Sequence, residues 1–239
     1  MGRRSFVIGD LHGCLDELEA LLQAIEPASG DTVVFLGDYI DRGPDSQAVI
    51  DRLLLLRTGG PRCVFLKGNH EDMFLDFMGL GGRYGSAFLV NGGKATLLSY
   101  GLGGCAGPEV AERIPPEHRE FLLGLETMFV AGQFLCVHAG INPLHGLQEQ
   151  NDEDLLWIRD EFIRNRHRLP YTVLFGHTPQ REVFLDLPYK IGLDTGLVYS
   201  NKLSCLELQS GELIQIRRGE SRARRSSLAK DLAEAGRAA

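Results

Sequence analysis

The chain lacks the marks of a disulfide scaffold, a membrane protein or a broad nucleic-acid binder. Its five cysteines (Cys14, Cys63, Cys105, Cys136 and Cys205) are odd in number, widely spaced and form no Cys-x-x-Cys pair, which argues against a disulfide framework and against a zinc finger. Cys14 stands beside the first motif described below, where it is either a redox-sensitive thiol or, the reading preferred here, a small buried filler. No apolar run approaches the roughly 18 residues of a membrane span, and Met1 to Arg4 lack the long apolar region of a secretory signal. The expected compartment is the cytoplasm, with no membrane partner. Positive charge is also short: 25 Lys and Arg stand against 32 Asp and Glu, for a formal net charge of −7. A sequence-independent nucleic-acid binder needs broad basic surface, so no nucleic acid is expected, and a phosphate ligand would need locally fixed positive charge. There is one tryptophan, Trp157, read as a packing anchor, and no internal repeat.

What the chain does have is a recurrent pattern. Five short apolar runs, SFVIGDLHG, TVVFLGDYIDRG, CVFLKGNHE, FLCVHAG and TVLFGHT, each end in a carboxylate, amide or imidazole. Those groups are Asp10 with His12, Asp38, Asn69 with His70, His138, and His177. A hard cation needs O and N ligands converging from several strand ends, so the five runs read as one assembled site.

The hydrophobic period places these runs on a fold. Ser5–Ile8 reads as a strand, Leu15, Leu18, Leu22 and Ile25 recur at helical spacing, and Pro27 stops that helix. Thr32–Leu36 is a second strand; a helix opens near Pro44 and ends at Gly59, Gly60 and Pro61. Cys63–Leu66 is a third strand, followed by a helix through Met73, Phe77 and Met78. This β-α-β-α-β-α order predicts a mainly parallel sheet with ligands at its carboxyl edge. Residues 79–126 break the rhythm with GLGGRYG, NGG and YGLGG and read as a cap with short helices at Ala95–Ser99 and Pro116–Leu125. A hairpin of Met128–Val130 and Phe134–Val137 delivers His138, and a helix is expected over Glu153–Arg164. Thr172–Phe175 is a further strand, and short strands near Val183, Lys190–Leu193, Leu203–Leu208 and Leu213–Ile216 are expected to form a meander in a second sheet packed on the first. The fold class is thus α/β, a central β-sandwich of two mixed sheets flanked by helices. One domain over 1–216, with the cap inserted at 79–126, is followed by a basic, Ala-rich tail at 217–239 that reads as a loose surface helix or a solvated end.

Asp10 and His12 lie two apart at a strand end, so their side chains point the same way and can grip one ion together. Asp38 has two oxygens and can bridge two cations; Asn69, His138 and His177 can complete the shell of the second. This oxygen and imidazole set, without thiolates, suits Mn²⁺, Fe²⁺ or Zn²⁺ in a catalytic site.

In order, GDLHG, GDYIDRG, GNHE, the His-Ala-Gly at 138–140 and GHT at 176–178 resemble the motifs of the calcineurin-like metallophosphoesterases. The GDxxDRG and GNHE forms are similar to the phosphoprotein phosphatase branch, especially its compact bacterial and phage members. The resemblance implies a four-layer αββα fold and two divalent metal ions, Mn²⁺ by preference. It assigns Asp10, His12 and Asp38 to the first ion and Asp38, Asn69, His138 and His177 to the second, with a bridging hydroxide as the attacking group. It further implies His70 as general acid, Asp41 as the carboxylate that orients it, and Arg42 and Arg159 as phosphate-binding arginines. Arg42 could instead pair with Asp45, and Arg159 could simply face water. Lys67 stands where many relatives have arginine, and TGLVYS at 195–200 lacks the longer motif of the eukaryotic protein phosphatases, so no regulatory subunit is implied. NGGKATLLSYG resembles a feature of bacterial symmetrical dinucleoside tetraphosphatases. Outside these motifs, Asp194 reads as a structural turn carboxylate, and His118, His145 and His167 as surface residues.

Three functions follow from these readings. The first is a metal-dependent phosphomonoesterase acting on phosphoserine and phosphothreonine in proteins, with phosphotyrosine as a further substrate. The second is a hydrolase of diadenosine tetraphosphate or similar anhydrides. The third is an inactive metal and phosphate binding module, which the full set of ligands, acid and arginines speaks against.

Overall fold

A computed structural model describes residues 3–238. In chain order the elements are β1 (Ser5–Ile8), α1 (Leu15–Ile25), β2 (Thr32–Phe35), α2 (Ser46–Thr58), β3 (Arg62–Phe65) and α3 (Asn69–Phe77). Residues 79–126 contribute two short irregular turns at Gly85–Ala87 and Leu89–Gly93, then α4 (Lys94–Ser99), α5 (Gly107–Arg113) and α6 (Pro116–Leu123). There follow β4 (Met128–Ala131), β5 (Phe134–Val137), α7 (Asp152–Trp157), α8 (Asp160–Ile163), β6 (Thr172–Phe175), β7 (Phe184–Asp186), β8 (Lys190–Gly192), β9 (Lys202–Glu207), β10 (Glu212–Arg217), β11 (Arg224–Ser227) and α9 (Ala229–Ala238).

Two mixed sheets result, in the orders β11-β10-β9-β1-β2-β3 and β4-β5-β6-β8-β7. β1, β2 and β3 are parallel, as are β5, β6 and β8. Strand alternation explains the layers. Val7, Val34, Val64, Cys136, Leu174 and Ile191 point into the space between the sheets and form one apolar cluster. Their neighbours Phe6, Ile8, Val33 and Phe35 point the other way, onto Leu18, Leu21, Val49 and Leu53 of α1 and α2. On the far side Leu135, Val137, Val173 and Phe175 meet Leu155, Leu156 and Phe162 of α7 and α8. The expected helix, sheet, sheet, helix stack is present, with every central strand covered on both faces.

Several expectations differ in detail. The carboxy-terminal strands do not form one meander in the second sheet: β7 and β8 stay there, while β9 and β10 return to the first sheet and β9 pairs antiparallel with β1. The cause is the free edge of β1, which β2 leaves open and which Leu206 and Cys205 cover while burying one side chain on each face. The helix expected over Glu153–Arg164 is broken in two. Ile158 takes an extended ψ of 143° and Arg159 sits at φ −132°, ψ −97° before a new first turn opens with Asp160 and Glu161. The buried Lys190 ammonium holds the second piece by donating to the carbonyls of Phe162, Ile163 and Asn165. Arg224–Ser227 pairs with β10, and Arg225 donates to Glu212 and to the carbonyl of Ala24. His118 and His167 are buried rather than on the surface. His118 lies between the Tyr100 hydroxyl (2.7 Å) and Asp51 (2.9 Å), and His167 reaches the carbonyl of Tyr189 (2.8 Å). Among the described residues no helix is long and apolar enough to cross a membrane.

Candidate active site

The loops after β1, β2 and β3 and those after β5 and β6 meet at one edge of the sandwich, around Asp38. Chain reversal there is tight: His12, Asp38, Asp41, Arg42 and His177 all have positive φ, a conformation that costs a non-glycine residue of order 1–3 kcal/mol and persists only where the surroundings impose it. Gly37, at φ 106°, shows why a glycine precedes Asp38: a Cβ there would stand 2.6 Å from the Gly68 nitrogen and 2.9 Å from the His138 ring. Asp38 is then locked by Glu71, a fully buried carboxylate that accepts from the N–H groups of Asp38 (2.9 Å), Tyr39 (2.8 Å) and Gly68 (2.9 Å).

The two oxygens of Asp38 face different partners. Oδ2 lies 3.5 Å from His12 Nε2 and 3.9 Å from His70 Nε2, while Oδ1 lies 3.4 Å from His138 Nε2 and accepts from the His70 N–H at 3.1 Å. Two groups able to hold a cation share this residue: His12, Asp38 and His70, and Asp38, His138 and His177. The structure thus brings His12, Asp38, Asn69, His70, His138 and His177 together. Asn69 Oδ1 lies 2.8 Å from His177 Nδ1 and 3.1 Å from His138 Nε2. Asp10 adjoins them through Oδ2, which accepts from the His177 N–H at 3.0 Å. His12 and His138 each direct Nδ1 to a carbonyl, of Ile40 and Leu36, leaving Nε2 facing the centre.

The electrostatics sort the four imidazoles into two kinds. Burial drives His12 down to about 3, and lowers His138 and His177 as well; a ring without its second proton has a lone pair to offer a cation. Burial also opposes charge on His70, but Asp38 and Asp41 outweigh it and hold this ring above the ordinary histidine value. Its Nδ1–H donates to Asp41 Oδ2 at 2.6 Å. Burial opposes charge on Asp38 as well, but attraction to the imidazoles around it, His138 and His70 foremost, outweighs that and holds its carboxyl below the usual range. Burial, reinforced by Asp194 and Asp38, pushes Asp10 the other way.

The donor set fits a pair of divalent cations. Asp10 Oδ1 and His177 Nε2 are buried without a hydrogen-bond partner among the described residues, a costly state for polar atoms unless something else meets them. Carboxylate, amide and imidazole donors without a thiolate exclude a closed cysteine site. Cys14, the nearest thiol, donates to the His12 carbonyl, and burial pushes it up to about 12, consistent with a filler and not a ligand.

Arg42 places its guanidinium against His12 Nε2 and 5.5 Å from the centroid of Tyr199, not on Asp45. Arg159, exposed in the break between α7 and α8, lines a cleft of about 660 Å³ with Trp157, Ile158, Asn142 and Glu153. Trp157 lies 6.5 Å from the His177 ring and 4.8 Å from Tyr84, centroid to centroid, so the packing anchor of the sequence reading also walls the site. Asp194 accepts from the Gly196 N–H at 2.9 Å, as a turn carboxylate does. The sequence reading gave no role to Glu71, although a Glu at the third position of a helix is a capping signal that could have drawn notice. Thr96 and Ser46, which touch Asp41, carried no signal.

A two-sheet sandwich with such a carboxylate and imidazole cluster at one edge defines a metallophosphoesterase. The family described as calcineurin-like phosphoesterase matches residues 4–203, and the chain belongs to that family, which uses divalent metals. It is 32% identical over 223 residues to serine/threonine-protein phosphatase 1 of Salmonella typhimurium, covering 87% of this chain and 93% of that protein. It is 26% identical over 238 residues to an asymmetrical bis(5'-nucleosyl)-tetraphosphatase of Oceanobacillus iheyensis, covering 88% and 90%. A solved structure of a candidate diadenosine tetraphosphatase superposes with a TM-score of 0.69 at 26% identity, over 91% of this chain and 95% of the other.

Proposed function

We propose that this metallophosphoesterase is a dinuclear phosphomonoesterase whose substrates are phosphoserine and phosphothreonine residues of proteins. The observation that carries the reading is the division of labour around Asp38: His12, His138 and His177 converge there with Asn69, beside a fourth imidazole, His70, whose Nδ1–H is fixed on Asp41 at 2.6 Å. The first three rings offer lone pairs, and the fourth offers a hydrogen. A binding module would have no use for that fourth ring. The likeness over nearly full length to a serine/threonine-protein phosphatase supports the choice of substrate.

In this reading Asp10, His12 and Asp38 hold one divalent cation and Asp38, Asn69, His138 and His177 the other. Such a pair, when bound, supplies Lewis acidity toward phosphoryl oxygens and lowers the pKa of water. Arg42 and Arg159 flank the phosphoryl group, where a planar guanidinium can bind two oxygens at once. His70 passes its proton from Nε2 to the departing oxygen, while Asp41 fixes the ring through Nδ1 and stabilises its charge. Positioned proton transfer of this kind is worth roughly 10² to 10⁴ in rate.

A second reading, hydrolysis of dinucleoside tetraphosphates, is favoured by the cleft beside Trp157 and Arg159 and by the likeness to tetraphosphatases. The deciding experiment compares kcat/KM of the Mn²⁺-loaded protein on a phosphothreonine peptide and on diadenosine tetraphosphate, with His70→Asn as control. Higher peptide turnover, lost in the control, is expected. A large preference for the dinucleotide would replace the first reading with the second.

A further inference from the structure

The cap reaches further into the site than a cover would. Asp41 and Thr96 are both fully buried and lie 55 residues apart in the chain. The Thr96 hydroxyl donates to Asp41 Oδ1 at 2.5 Å and accepts from the Asp41 N–H at 2.9 Å. That N–H is shared with Ser46 Oγ at 3.1 Å, and Ser46 Oγ in turn lies 3.1 Å from Thr96 Oγ1. Because the Thr96 proton is committed to the carboxylate, the Ser46 hydroxyl is the donor in this last contact. With Oδ1 anchored, only Oδ2 is left for the His70 Nδ1–H at 2.6 Å.

The same cap segment also grips the loop at Arg42 and the first turn of α2 at Gln47. The Arg42 N–H donates to the Gly92 carbonyl at 3.2 Å, and the Gln47 N–H to Ser99 Oγ at 3.1 Å. Gly92, at φ 108°, has no room for a side chain, since a Cβ would stand 2.7 Å from Arg42 Cγ. Asp41 and Arg42, both at positive φ, are therefore held in place from the cap.

We infer that Thr96 is a positioning residue for proton delivery: by fixing the rotation of the Asp41 carboxylate it aims His70, so the cap completes the acid half of the site. The inference rests on the reading of His70 as proton donor and extends it. Without the hydroxyl, Asp41 Oδ1 is a buried acceptor with no side-chain donor, and the carboxylate is free to turn away from the ring.

The test uses leaving-group dependence, since a misplaced acid matters most when the departing oxygen is strongly basic. Turnover of phenyl phosphate and of p-nitrophenyl phosphate is measured for Mn²⁺-loaded wild type, Thr96→Val, Thr96→Ser and His70→Asn. Thr96→Val is expected to lose about 10-fold more kcat on phenyl phosphate than on p-nitrophenyl phosphate, with little change in KM, and Thr96→Ser to recover most of that difference. Equal losses on both esters, or no loss, would overturn the assignment. Should Thr96→Val fail to fold, Thr96→Ala reports the same ratio. His70→Asn separates the two levels of the argument. If it shows the selective loss and Thr96→Val does not, only the role of Thr96 falls; if His70→Asn shows none, the proton-donor reading falls and takes this inference with it.

Discussion

The two halves of the site face each other across Asp38 and are built differently. The half supplied by β1, β2 and β3 is laced with hydrogen bonds: Glu71 serves four backbone N–H groups, the Asp38 carbonyl accepts from Leu11 and His12, and Thr96 holds Asp41. The half supplied by β5, β6 and the broken helix is looser. A cleft opens beside it, and Trp157 Nε1, His177 Nε2 and Thr178 Oγ1 have no partners among the described residues, against Asp10 Oδ1 and Asp72 Oδ2 in the first half. The difference teaches where rigidity is needed. The proton-donating pair of His70 and Asp41, which must keep one orientation, sits in the laced half, whereas the wall against which a substrate must fit retains free volume.

The strongest way to break this comparison is at the residue both halves share. Asp38→Asn should lower kcat/KM on a phosphothreonine peptide by more than about 10³ and abolish binding of both ions in a Mn²⁺ titration. Retention of one ion at full affinity would mean that Asp38 serves a single half. Next, His70→Asn should cost roughly 10² to 10⁴ in kcat with KM nearly unchanged; a rise in KM without loss of kcat would place this ring in binding instead.

Smaller effects sharpen the contrast. Glu71→Ala leaves several buried N–H groups of the laced half without an acceptor and should destabilise the fold by about 3 kcal/mol in urea unfolding. Arg159→Ala, in the loose half, should leave stability within about 0.5 kcal/mol while raising KM about 10-fold for the peptide. Comparable stability losses in these two variants would erase the distinction. The smallest effect expected lies away from both halves, at Arg4 and Asp31, paired at 2.6 Å. Burial would raise Asp31, but hydrogen bonds from Arg4 and Ala28 outweigh it and hold the carboxyl below its ordinary value. A carboxyl lowered by folding stabilises the native state above its unfolded pKa and ceases to do so as pH falls through the folded one. Since Arg4 is about a third exposed, the contribution is about 1 kcal/mol or less. Chemical denaturation at pH 6 and below pH 3.8 should show wild type losing this increment while Asp31→Asn, already without it, changes less.

Much of this was legible in the chain because short-range signals coincide with what the fold needs. An apolar strand, a tight turn and a polar residue at its end are contiguous, so Asp10, His12, Asp38, Asn69, His70, His138 and His177 could be singled out before their proximity was known. The first two βαβ units carry their own helix stops, Pro27 and Gly59 to Pro61. Residues whose roles depend on distant partners were not legible in this way. Periodicity over Glu153–Arg164 is helical throughout, and only the grip of Lys190 on the Phe162, Ile163 and Asn165 carbonyls accompanies the break that exposes Arg159. His118 looks like any polar residue of an exposed helix until Tyr100 and Asp51 close on it.

By itself the sequence determined the layered α/β class and the set of groups that end the strands, since both are written in patterns a few residues long. Only the tertiary structure decided which sheet receives β9 and β10, where the α7 and α8 helices part, and how Glu71 and Thr96 lock the loops around Asp38 and Asp41. Those outcomes depend on edges, carbonyls and hydroxyls that are brought within hydrogen-bond reach only when segments tens to hundreds of residues apart pack together, and no local pattern records that encounter.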